Sequence, residues 1–203
     1  RRGSPRPVRR DGGSRLSGVG MSVPRLDPMP ADRPLTLRSA RTQDVPVIQA
    51  LVEPLARERV LLQKEAVAYY EAIQEFVVAE EADGTLAGFG ALHVMWQDIA
   101  EVRTLAVSEA HRGAGVGHLL IEELLDRARA VGVERVFCLT FEVEFFRRHG
   151  FEVMADQSAV DPEVYAELLR STDEGVAEFL DLARVKPNTL GNTRMIRAIT
   201  PEG

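Results

Sequence analysis

The chain has 203 residues, 45% of them apolar, enough for one sizeable hydrophobic core and too few for two independent ones. Its 25 Lys and Arg are outnumbered by 31 Asp and Glu, and the formal charge of −6 argues against a general nucleic-acid binder. No stretch approaches the ~20 apolar residues of a membrane span. No apolar signal core stands near the start and the lone Cys138 can form no internal disulfide, so the cytosol is the expected location.

Residues 1–33 are rich in Arg, Gly, Ser and Pro and poor in aliphatic pairs, a composition that cannot repay the entropy of folding. Arg1, Arg2, Arg6, Arg9, Arg10 and Arg15 oppose only Asp11 before Met21. A disordered basic tail is expected, either an arm for nucleic acid or an acidic partner, or a solvated tail or leader ahead of a start at Met21. The folded domain is placed at 34–203. Leu35–Arg38 alternates as a first strand, Thr42 offers a helix N-cap with Asp44 in the first turn, and Val47, Ile48, Leu51 and Leu55 continue at helical spacing. Helical spacing resumes from Lys64 to Ile73. Strands at Phe76–Ala79 and Leu86–Leu92 flank Asp83-Gly84, a strong hairpin signal, and the second of them runs on to Met95. A further strand spans Ile99–Val107 across a Gln97-Asp98 corner. The pattern predicts an α+β domain with helices covering a twisted sheet.

Val102-Arg103-Thr104-Leu105-Ala106-Val107 is followed at once by His111-Arg112-Gly113-Ala114-Gly115-Val116-Gly117-His118, which joins a strand to a glycine-paved helix start. The first N–H groups of a helix lack intrahelical partners, carry partial positive charge, and reach phosphate oxygens where no Cβ stands in the way. Val116, Leu119, Leu120, Leu124, Leu125, Ala128 and Val131 form the predicted apolar stripe of that helix, which ends near Gly132. Arg135–Thr140 reads as a strand and Glu144–Phe151 as a short helix closing on Gly150-Phe151. Asp161-Pro162-Glu163 opens a helix to about Leu169, and Val176, Phe179, Leu180 and Leu182 suggest another. A turn at Lys186–Asn192 precedes a last strand, Thr193–Ile196. The sequence shows no repeat and no metal-spaced Cys or His cluster, so no metal is expected.

The order Arg112-x-x-Gly115-x-Gly117 after a buried strand, followed by the 135–151 strand and helix, resembles the GNAT acetyltransferases over about residues 35–155. The resemblance implies the GNAT fold, a twisted, mixed and mostly antiparallel sheet flanked by helices, with acetyl-CoA as co-substrate. It places the cofactor on Leu105, Ala106, Val107, Arg112, Gly113, Ala114, Gly115, Val116, Gly117, His118 and Phe145. The backbone at Leu105 would meet the developing oxyanion. Glu101 stands where such enzymes often put a carboxylate base, although an ion pair with Arg103 explains it equally. Many members carry a Tyr acid where this chain has Phe146. A thiolate leaving group with a solution pKa of about 8.5, by analogy with Cys, needs little protonation. His93 is read either as a water-linked proton relay or as a hydrogen-bonded strand residue.

Lys64, the Gln74–Glu80 strand entry, Glu101-Val102-Arg103 and Asn192-Thr193-Arg194 together are similar to stand-alone, actinobacterial-type N-acetylglutamate synthases. That resemblance implies acetyl-CoA-dependent N-acetylation of L-glutamate, the first step of arginine synthesis, with Lys64, Arg103, Asn192, Thr193 and Arg194 as substrate ligands. Glutamine, a protein N-terminus or a small amine are alternative acceptors, and a non-catalytic acyl-CoA sensor is a further reading. Nucleic acid and membrane are not expected partners, and a homodimer is compatible with the pattern.

Overall fold

The computed structural model describes residues 34–58, 61, 64–154, 161–180 and 191–200. The chain divides into residues 1–30 and 31–203, and every described residue belongs to the second unit. The expected basic tail, the helical position of Leu182 and the turn over 186–190 lie outside the described residues.

Seven strands form one sheet in the order β1-β2-β3-β4-β5-β7-β6. They are β1 (Thr36–Ser39), β2 (Phe76–Glu80), β3 (Leu86–Trp96), β4 (Ile99–Val107), β5 (Arg135–Thr140), β6 (Glu152–Val153) and β7 (Thr193–Ala198). All neighbours are antiparallel except β4 and β5, which run parallel. A parallel pair needs a crossover, and α3 (Val116–Ala130) supplies it. The hairpin stands at Asp83-Gly84, where Gly84 has φ +90° and Asp83 Oδ1 accepts the Thr85 N–H at 2.9 Å.

Strand alternation divides the side chains between two faces. On one face Val77, Ala87, Ala100, Val102, Val136 and Cys138 pack beneath α3 and α4 (Val143–Arg148). On the other face, α1 (Val45–Arg57) and α2 (Ala66–Glu71) cover Phe76, Val78, Phe89 and Ala91. Farther along that face, α5 (Pro162–Leu168) and α6 (Glu174–Phe179) cover Met95, Ile99 and Phe137. His93, Glu101 and Arg103 share this second face, between its two apolar clusters.

Three local expectations are corrected. Thr42 is not a helix cap: it begins a 3-10 turn, Thr42–Asp44, whose first free donor, the Arg41 N–H, is satisfied by Asp44 Oδ2 at 2.7 Å. The second helix begins at Ala66, because Glu65 is extended, so Lys64 precedes it, and Ile73–Glu75 is a separate 3-10 turn. In α3, Leu119 is exposed and Ile121 buried, because at 100° per residue Leu119 points about 150° away from the centre of the buried stripe. Val131, the C-cap residue, is exposed as well, while Gly132 ends the helix at φ +85°. No described helix is long and apolar enough to cross a membrane.

Gly88 of β3 lies so close to β4 that an added Cβ would stand 2.7 Å from the Ala106 carbonyl oxygen. Gly88→Ala is expected to lower unfolding stability by about 1–3 kcal/mol, the usual cost of overpacking, as read by denaturant melts.

Candidate active site

The site begins with a flaw in β4. Arg103 pairs with Ala91 and Ala106 with Phe89, so Thr104 and Leu105 together stand opposite the single residue Gly90. Two residues against one is a β-bulge, and Thr104 takes φ 55°, a left-handed conformation that a β-branched residue rarely adopts. An added Cβ at Gly90 would meet Leu105 Cδ1 and Leu124 Cδ1 at 2.9 Å each, so the bare backbone of β3 makes room for the bulge. On its other side β4 pairs with β5 only from Ile99 to Val102. Leu139 and Thr140 of β5 keep their partners Arg194 and Thr193 of β7 on the far edge but have none on β4. The two parallel strands therefore part at the bulge and leave a wedge lined by main chain at Leu105, Ala106 and Val107.

The wedge leads directly into the glycine loop. Gly113 and Gly115 have φ +80° and +82°, conformations strained for any residue with a Cβ, and a Cβ on either would meet no protein atom within 4 Å. Val116, Gly117 and His118 open α3 with their N–H groups toward this space, behind Arg112 and Ala114. Gly117 has a packing duty as well, since an added Cβ would lie 3.3 Å from the Phe145 ring. His111 anchors the loop entrance: Ser108 Oγ donates to its Nδ1 at 2.6 Å, and its Nε2 donates to Glu81. A cradle of bare N–H groups beside an unpaired strand edge suits a pyrophosphate followed by a pantetheine arm, so the residues fit acyl-CoA.

Beside the bulge lies a charged cluster. Arg103 donates from Nε to Glu101 Oε2 at 3.0 Å, and from Nη1 and Nη2 to the two Asp173 oxygens at 2.9 and 3.0 Å. Asp173 also caps α6, accepting the Val176 N–H at 3.1 Å. Gly175 of α6 lies directly over the pair: a Cβ there would fall 2.0 Å from Glu101 Oε2. Burial pushes the Glu101 carboxyl up, against the pull of Arg103 and the smaller pulls of Lys64 and His93. For Asp173, burial also acts upward, but the Arg103 hydrogen bonds and charge outweigh it and hold the group down at about 2. Glu75 Oε1 accepts from His93 Nδ1 at 2.7 Å, and His93 is the cross-strand partner of Glu101.

The structure thus brings Glu101 and Arg103 together at the end of the wedge, with Lys64 close enough for its charge to act on Glu101. Arg194 lies elsewhere, at the far end of α6, donating to the Phe179 carbonyl oxygen at 3.1 Å. Asn192 precedes β7 with a buried Oδ1 that has no hydrogen-bond partner, and Thr193 pairs in register with Thr140. Phe146 is core, packed edge-on against Phe145 and Phe151 at 5.2 Å each. Asp173 and Gly175 escaped sequence reasoning, and Glu75 entered it only within the Gln74–Glu80 strand entry, with no role of its own. An Asp-x-Gly run ahead of the Val176–Leu180 apolar spacing was the available signal for a capped helix there.

Residues 47–151 match the Acetyltransferase (GNAT) family. The chain belongs to that family. It is an N-acetyltransferase, and acetyl-CoA is its acetyl donor. It is 52% identical over 169 residues to the amino-acid acetyltransferase of Mycobacterium tuberculosis, covering 82% of this chain and 96% of that protein. A crystal structure of Rv2747 from Mycobacterium tuberculosis in complex with CoA and NLQ is 52% identical, superposes with a TM-score of 0.76, and covers 81% of this chain and 99% of its own. N-acetylglutamate synthase from Neisseria gonorrhoeae, complexed with coenzyme A and N-acetyl-glutamate, is 26% identical with a TM-score of 0.65, over 82% of this chain and 35% of that one. The GNAT chain thus spans about a third of that synthase. Among the described residues no group of His, Cys, Asp or Glu is arranged to hold a metal ion.

Two variants probe this geometry. Gly115→Ala forces a Cβ into the left-handed region and is expected to cost about 1–2 kcal/mol of stability and to weaken acetyl-CoA binding in calorimetric titration. Asp173 has a native carboxyl lowered to about 2, so its pairing stabilises the fold above the unfolded carboxylate range and is lost as pH falls through about 2. Asp173→Asn is expected to cost on the order of 1–2 kcal/mol at pH 7. Denaturant melts should show the gap from the parent protein narrowing as the pH is taken below 4.

Proposed function

We propose that the chain acts in the cytosol to transfer the acetyl group of acetyl-CoA to the α-amino group of L-glutamate, the entry reaction of arginine synthesis. The observation that carries this reading is the guanidinium of Arg103 held on Glu101 beside the bulge where the acyl-CoA cradle begins, with the charge of Lys64 acting on the same carboxyl. The names of its relatives support it: the 52% identical protein is an amino-acid acetyltransferase, and the gonococcal neighbour was solved with N-acetyl-glutamate.

Acetyl-CoA supplies a thioester carbonyl, and the chain supplies the alignment. The N–H at Leu105 points a donor at the carbonyl oxygen, where negative charge develops. Main chain at Leu105 and Val107 holds the pantetheine arm, and the loop from Arg112 to His118, with Phe145, holds the nucleotide end. Arg103 and Lys64 receive the acceptor's carboxylates, while Arg194, Asn192 and Thr193 stand apart at β7, where Arg194 is held on the Phe179 carbonyl oxygen. Glu101 keeps Arg103 in place. Phe146 can donate no proton, and a thiolate with a pKa of about 8.5 by analogy with Cys leaves without one.

One observation favours a second acceptor. Arg103 already carries Glu101 and Asp173, so a further carboxylate would put a third negative charge around one guanidinium. L-Glutamine offers the same frame with a neutral side chain.

Thiol release from acetyl-CoA across a panel of amino acids tests the reading. L-Glutamate or L-glutamine is expected to exceed every other amine in kcat/KM by about tenfold or more, a transition-state difference of ~1.4 kcal/mol. Equal turnover of lysine or a peptide N-terminus would contradict it. Arg103→Lys keeps the charge but loses the planar fork, and is expected to raise the amino-acid KM about tenfold while leaving the acetyl-CoA KM within about twofold.

A further inference from the structure

We propose that His93, oriented by Glu75, is the base that takes the proton from the acceptor's ammonium group; the assignment rests on the acetyl-transfer reading above. His93 lies on β3 directly opposite Glu101, on the face shared by Arg103. Its Nδ1–H donates to Glu75 Oε1 at 2.7 Å, which fixes the tautomer and leaves the Nε2 lone pair as the acceptor. That nitrogen is 4.0 Å from Asp173 Oδ2, beyond hydrogen-bond reach, so it is not consumed by the contact. The arrangement is a carboxylate-oriented imidazole, the pairing that lets a histidine accept a proton and hold it as a cation.

Glu101 is less well placed for the task. Its side chain is 8% exposed against 25% for His93, Gly175 roofs it, and its Oε2 takes two Arg103 nitrogens at 3.0 and 2.7 Å. A base must reach the proton it abstracts directly or through one water. His93 has that access from the cleft. The groups facing it are Glu75 from the 3-10 turn, Asp173 from the start of α6, Glu101 and Arg103 from β4, and Lys64 near Glu101. Carboxylates on both sides of the ring offset the charge it gains.

In the step, one ammonium proton passes to His93 Nε2 and frees the nitrogen lone pair. That pair forms the N–C bond to the thioester carbonyl carbon, and the C–S bonding pair leaves on sulfur. The second proton lost from nitrogen passes to the thiolate as CoA thiol, and His93 returns its own proton to water. Nothing is oxidised or reduced. Glu75 acts through His93 and is a positioning residue.

The test uses the full chain with acetyl-CoA and the free amino acid that it acetylates. The parent enzyme is expected to show an acid limb in kcat/KM, and His93→Gln to abolish it, to lower kcat about a hundredfold and to leave the acetyl-CoA KM within about twofold. Added imidazole is expected to restore turnover to His93→Ala, which a merely structural histidine would not permit. Glu75→Gln is expected to reduce kcat about tenfold with the acetyl-CoA KM unchanged. A His93→Gln enzyme within about twofold of the parent rate, or one that keeps its acid limb, overturns the assignment while the acetylation reading stands. A parent enzyme that releases no thiol with any amino acid overturns the acetylation reading, and the base with it.

Discussion

Everything at the site depends on the parting of β4 from β5 after Val102. Two parallel strands that stayed paired would satisfy each other's N–H and C=O groups and leave nothing for a ligand. The bulge at Thr104 and Leu105 ends that pairing. It is held by its surroundings: Gly88 and Gly90 leave β3 bare where β4 swells, and Leu124 of α3 closes on the same spot. The conformational cost of Thr104 in the left-handed region is thus borne by well-packed neighbours, the usual condition for strain to persist at a functional site. The same distortion aims β4 at the glycine loop, so one irregularity sets the wedge and its approach to the helix start.

The second constraint is electrostatic. Glu101 is buried beneath α6, and an unpaired carboxylate there would be costly. Arg103 answers it and, through Asp173, ties the first turn of α6 to β4. Arg194 holds the other end of that helix by the Phe179 carbonyl. The two arginines expected to meet substrate are therefore also the two clamps on α6.

Much of this was legible in the sequence, for physical reasons that differ by element. The hairpin at Asp83-Gly84 and the strand–loop–helix from Val102 to Gly132 carry local signals: turn residues, alternation and glycines at a helix start. Alternation alone puts Glu101 and Arg103 on one face, and their side chains meet there. The bulge was not legible, because two residues opposite Gly90 is a property of the pairing and not of either strand. Nor was the use of Arg103: its partner Asp173 is 70 positions away, and sequence spacing cannot show which carboxylate a guanidinium will choose. Leu119 misled for a simpler reason, since an apolar residue at a near-helical spacing can still fall on the solvent side.

The most direct test of the central claim is amide hydrogen exchange, read residue by residue with and without CoA. The account predicts that Ile99–Val102, paired with both neighbouring strands, stay protected in either state, and that the amides of Leu105 and Val107 gain protection when CoA binds. Full protection of those two amides before CoA is added, or no change when it binds, would mean that β4 and β5 do not part at Thr104 and would contradict the account.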